Sequence, residues 1–155
     1  METPRQYMCR QFLNDQGLTI THFDDNGDVV FRRNGYDFLL HLHPHCPERL
    51  ALALPAFWIL ADPADEARAL RIANQVNLGS FGATVVCVNQ TVTALTELFV
   101  ATPAEDLKKV LSPALTALQE AAHAFITLLL TGERVRPRSN GNGAVPAPSA
   151  KETIR

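Results

Sequence analysis

The chain is expected to fold as α+β, with an antiparallel sheet of five or six strands and three helices in the order helix, strands, helix, two strands, helix. Two Asn-Gly pairs, Asn26-Gly27 and Asn34-Gly35, sit between short apolar runs of period two. Both residues of such a pair tolerate positive φ, so each pair marks a hairpin, and together they give a three-stranded meander. Between Asp62 and Asn89 the pattern changes to a capped helix, a glycine turn and an apolar strand. Hairpin-joined strands with helices segregated from them define the α+β class.

The elements follow in order. Thr3 to Gln16 reads as a helix, with Thr3 and Pro4 as a cap-then-proline start, Tyr7, Met8, Phe12 and Leu13 on one face and Gly17 as the stop. Leu18 to Phe23, Val29 to Arg33 and Tyr36 to His43 are the meander, with turns at Asp25–Asp28 and Asn34-Gly35. Pro44 and Pro47 then interrupt pairing. Arg49 to Leu60 is another extended segment, in which Pro55 marks a bulge or an edge.

Asp62 and Pro63 start the central helix, Asp65 and Glu66 complement its dipole, and Ala69, Ile72, Ala73 and Val76 recur at helical spacing. Asn77, Leu78 and Gly79 are its expected stop in a left-handed conformation. Ala83 to Val88 is apolar or β-branched throughout, which predicts a strand covered on both faces. A tight turn at Asn89-Gln90 leads to Val92–Val100. Thr102-Pro103-Ala104-Glu105 is a capping box, and Leu107, Val110, Leu111, Leu115, Leu118, Ala122, Phe125 and Leu129 keep one helical face beyond it. The apolar phase runs unbroken through Pro113, so the proline kinks this helix and does not reverse it.

From Gly132 the composition turns to Arg, Pro, Ser, Asn and Gly, which cannot bury enough apolar surface to order itself alone. The expected organisation is a single domain over 1–131 and a disordered basic tail over 132–155. That tail carries +3 of charge, so the body before it carries −5 of the total of −2. An acidic body argues against nucleic-acid binding, which needs a positive surface. Cys9, Cys46 and Cys87 are odd in number and form no CxxC pair, which fits a reducing cytoplasm better than a disulfide scaffold. No signal-type apolar run opens the chain, and no stretch reads as a membrane span, since His123–Leu130 continues an amphipathic helix.

The hairpin FDDNGDVVF, the strand GYDFLLHL, the Pro-Glu-Arg-Leu start of the next segment and above all the helix EARALRIANQVN are similar to the YbjN family of bacterial proteins, with Asn74 and Asn77 as the two asparagines of its alanine-rich helix. The resemblance spans about Phe12 to Leu130 and does not include the HLHPHC segment or the basic tail. It implies the type III secretion chaperone-like fold and a non-enzymatic protein of the bacterial cytoplasm, chaperone-like or regulatory, with no catalytic residues and no cofactor. The related secretion chaperones are homodimers that hold client segments on apolar grooves, so a homodimer and a protein partner are implied as well.

Four places carry candidate chemistry. His41, His43, His45 and Cys46 are the densest set of metal-ligand types, and His41 and His43 share a strand face. They support the alternative of a small-ligand or transition-metal sensor, against a plain solvent-facing strand end. The acidic turn Asp24–Asp28 lacks the glycine position and terminal glutamate of a calcium loop, and hairpin chemistry accounts for it. Asn74 and Asn77 are three apart on a helix and are expected to bond backbone at the helix end, while Arg68 and Arg71 read as a solvated face. Phe57 and Trp58 are neighbours on a strand, so one is expected in the core and the other outward as a partner contact, unless the bulge at Pro55 alters this. Ser80, Ser112 and Cys9 have no readable base nearby, and the Gly79–Gly82 turn precedes a strand, the wrong order for a phosphate loop.

Overall fold

A computed structural model describes residues 3–46, 48–100 and 103–132. Its elements run α1 (Pro4–Asp15), β1 (Thr19–Phe23), β2 (Val29–Arg33), β3 (Tyr36–Leu42), β4 (Arg49–Ile59), a 3-10 turn (Pro63–Asp65), α2 (Glu66–Gly79), β5 (Thr84–Val88), β6 (Thr91–Phe99) and α3 (Pro103–Thr131). The six strands form one antiparallel sheet in the order β1-β2-β3-β4-β6-β5. The expected α+β class and element order are what the chain adopts. The Thr102 capping box, Pro47 and the tail beyond Gly132 lie outside the described residues.

Local chemistry explains the ends of the elements. Thr3 accepts from the Gln6 N–H and the Gln6 side chain accepts from the Thr3 N–H, a reciprocal box that satisfies two free donors of α1. The Gln6 amide also donates to the Gly27 carbonyl at 2.7 Å, fastening α1 to the β1–β2 turn. The buried stripe of α1 is Cys9 and Leu13, whereas Tyr7, expected inside, is 51% exposed. Asn34 and Gly35 have φ of 52° and 81°, both positive as the Asn-Gly turn requires. α2 ends without the left-handed cap expected at Gly79: Ser80 is extended, and the positive φ comes later, at Gly82.

The core lies between one face of the sheet and the helices. Leu50, Leu52 and Leu54 of β4, Phe31 and Val29 of β2, Phe38 and Leu40 of β3, Val92 and Ala94 of β6 and Val85 and Cys87 of β5 alternate into it. α3 supplies Leu107, Leu111, Leu115, Leu118, Ala122, Phe125 and Leu129 as one face and runs unbroken through Pro113. By length and composition Glu105–Thr131 is apolar enough to cross a membrane, contrary to the sequence expectation. Its apolar content here forms the core.

β5 departs from expectation. It is an edge strand covered on one face only: Val85 and Cys87 are buried, while Val88 is 60% exposed. Pro55, by contrast, marks a bulge inside the central strand β4, not an edge. Leu54 pairs with Ala94 and Trp58 with Val92, so Pro55, Ala56 and Phe57 on β4 lie opposite Thr93 alone on β6, with Ala56 at φ 46°.

Candidate protein-binding surface

Side chains alternate across a strand, so each register fixes an outward row as firmly as an inward one. One such row crosses all six strands: His22, Val30, Leu39, Ala53, Leu95 and Thr84. Its middle is apolar, and no described helix covers it. Ala51 and Val86 extend the apolar band, and Ile59, Thr91 and Val88 form a second row at one end. Ile59 and Val88 are 68% and 60% exposed.

Ion pairs bound this band. Arg32 pairs with Asp37 at 2.7 Å and 2.9 Å, a two-point contact that holds the Asp37 carboxyl below its usual range and raises Arg32. Arg49 pairs with Glu97, whose hydrogen bond and charge raise Arg49. Both pairs are solvent-exposed and screened, so they contribute little stability; their effect is to set a polar border.

The histidine segment is built differently from a metal centre. His41 Nδ1 lies 2.8 Å from each Asp28 carboxylate oxygen, and Asp28 is 6% exposed. An ionised carboxylate only accepts, so Nδ1 carries the proton. The Leu42 N–H donates to the same carboxylate at 3.2 Å, while the Asp28 N–H donates to Asp24. The acidic turn therefore folds on itself and orients His41. His43 and His45 follow edge-to-face, with ring centroids 6.3 Å and 6.4 Å apart along the series, and the Cys46 thiol points to Glu48 at 3.6 Å. Among the described residues no three His, Cys, Asp or Glu side chains converge on one point.

Phe57 and Trp58 both pack against the core: Trp58 keeps the inward phase of Leu50, Leu52 and Leu54 and pairs with the buried Val92, while the bulge lets Phe57 turn inward as well. Phe57 meets Phe125 of α3 edge-on at 5.7 Å. The outward aromatic expected from simple alternation is replaced by Ile59. Asn77 reaches past the helix end to β5: its amide accepts from the Val85 N–H at 2.7 Å and donates to the Val85 carbonyl at 3.0 Å. Those groups face away from β6, so Asn77 takes the place of a neighbouring strand at the sheet edge. Asn74 is exposed. Arg68 and Arg71 are both exposed, and Arg68 also donates to the Leu129 carbonyl at 2.6 Å, where a cation suits the end of α3. Near these residues Leu78 and Phe81 are 90% and 95% exposed.

The uncovered apolar row had escaped sequence reasoning. Its trace is there in β4, where RLALAL places small alanines where a solvated face would carry polar residues.

No family model matches the chain, and a search of curated proteins finds no match. Solved structures do match. YbjN from E. coli aligns with a TM-score of 0.63 at 12% identity, over 81% of this chain and 92% of that one. The fold is YbjN-like. A chain of the HopA1–SchA chaperone–effector complex aligns with a TM-score of 0.53 at 16% identity, over 77% of this chain and 94% of the other. The architecture is thus shared with YbjN and with a chain of a chaperone–effector complex.

Proposed function

We propose that this chain is a protein-binding module, chaperone-like or regulatory, that works as a homodimer in the bacterial cytoplasm and engages a protein partner through its apolar sheet and helix surface. The observation that carries the reading is the uncovered row Val30, Leu39, Ala53 and Leu95 at the centre of the sheet. An apolar strip with a charged border suits a partner segment that buries side chains at its centre and keeps polar groups at its rim. Leu78 and Phe81, beside the β5 edge, are the side chains proposed for the homodimer contact. The chaperone–effector complex among the structural relatives supports a protein as the partner class.

Sedimentation velocity over a wide concentration range tests the dimer. A dimer that Phe81→Glu converts to monomer supports the contact, and a wild-type monomer at every concentration refutes it. Quantitative capture from native lysate with wild type and Leu95→Lys tests the partner face. Proteins retained by the first and lost by the second are the expected result, and an unchanged set sinks the assignment of that face.

A further inference from the structure

At one end of the outer sheet face stands the row Ile59, Thr91 and Val88, which no described helix covers. Ile59 and Val88 are 68% and 60% exposed. They lie two strand spacings apart, about 10 Å, with the shorter Thr91 between them. The row is a shallow apolar trough as wide as one extended segment.

The end of α3 is close by. Arg68 donates to the Leu129 carbonyl at 2.6 Å, so the last turn of α3 is held against the first turns of α2. α2 and its 3-10 turn follow directly on Ile59, through Leu60, whose N–H donates to the Gln90 carbonyl at 2.8 Å. Gly132, with φ 70° and its N–H on the Leu128 carbonyl, then turns the chain off the helix at this same end of the molecule.

The sequence that follows Gly132 is Glu133-Arg134-Val135-Arg136-Pro137-Arg138. Pro137 biases Arg136 to extended backbone, and alternation then sets Val135 and Pro137 on one side and the three arginines on the other. At ~3.3 Å per residue, residues 133–138 cover about 20 Å, enough to pass a helix layer about 10 Å across. Asp62, Asp65 and Glu66 stand at the start of α2 along that path. Among the described residues none of the three has an ion-pair partner. Three arginines meet an acidic start of a helix, and two apolar side chains meet an apolar trough.

We infer that residues 133–138 of the same chain cover the end row, with Val135 and Pro137 in the trough between Ile59 and Val88 and the arginines at its rim beside Asp62 and Asp65. The central row Val30, Leu39, Ala53 and Leu95 stays open to a partner, so this contact and the proposed function stand or fall separately.

The test is NMR of the full chain with Ile and Val methyl groups labelled. Cross-peaks from Val135 to Ile59 and Val88 are the expected result. Val135→Ser, a change outside the packed core, should shift the Ile59 and Val88 methyls and leave the buried Val29 unmoved. Combined Arg134→Glu, Arg136→Glu and Arg138→Glu should abolish the contacts by placing like charges beside the carboxylates. Absent cross-peaks with Ile59 and Val88 unmoved in Val135→Ser overturn the inference. Contacts that survive the charge reversal do the same, because the choice of occupant rests on that pairing. So do cross-peaks that appear only between differently labelled chains in a mixed sample, which would give the row to a second copy.

Discussion

Asn77 acts on the sheet through a single amide. Two hydrogen bonds, at 2.7 Å and 3.0 Å, satisfy the outward N–H and C=O of Val85 and block the edge where another strand could add. Asn77→Ala is expected to lower unfolding free energy by about 1–3 kcal/mol in urea titrations, since both Val85 groups lose a partner. The sequence pointed to Asn77 as a backbone binder, but not to its target, because Val85 lies beyond a turn whose path is set by Gly82. The cysteines separate in the same way. Burial, and then the charge of Glu66, push the Cys87 thiol up, while Cys46 is partly exposed. Alkylation at pH 8 should therefore label Cys46 first and Cys87 only when the protein opens. With its folded pKa raised, Cys87 contributes stability in full below the pKa of an unfolded thiol, about 8.5. That contribution is lost as pH rises from there through the folded value, so the urea midpoint should fall on the alkaline side.

Elements carry two features that each cost stability. Ala56 holds φ 46° so that β4 can bulge, and its N–H donates to the Thr93 hydroxyl at 3.1 Å. Ala56→Gly removes the Cβ conflict of that conformation and should raise stability by about 1 kcal/mol, measured by thermal unfolding. Pro113 sits inside a continuous 29-residue helix and takes away one backbone donor. Its neighbours Ala114 and Leu115 are buried while Pro113 itself is exposed, so Pro113→Ala should stabilise by about 1–3 kcal/mol without moving the core. Both features were legible: Pro55 announced an irregularity in β4, and the unbroken apolar phase announced a single α3. The strand faces were less so. Val88 and Val86 looked like core because apolar residues signal burial, yet they lie on a face that no described helix covers.

For the whole molecule the two faces of the sheet should respond oppositely to mutation. Leu52 is fully buried, and Leu52→Ala should cost about 2–5 kcal/mol by leaving a cavity. Leu95, on the outer row of the same sheet, is only partly buried, so Leu95→Lys should leave stability within about 1 kcal/mol in the same urea titration. Equal losses would mean that the outer row is a second core covered by something in the intact chain.

Sequence alone determined the element order, the hairpin turns, the start of α1 and the α+β class. Each rests on contacts between residues a few positions apart, such as Thr3 with Gln6 and Asn34 with Gly35; the Asp62 cap read for the central helix instead closes a 3-10 turn, and α2 begins at Glu66 without a side-chain cap. Tertiary structure decided which strand lies at the edge, that the β4 bulge lets Phe57 join Trp58 against the core, that Asp28 meets His41, and that Arg33 ends beside a cavity. These outcomes depend on sheet order and register, which bring together groups 13 or more residues apart, as with Asp28 and His41. Local pattern states that a residue prefers burial; only the packed sheet determines which face is buried and what is left for a partner.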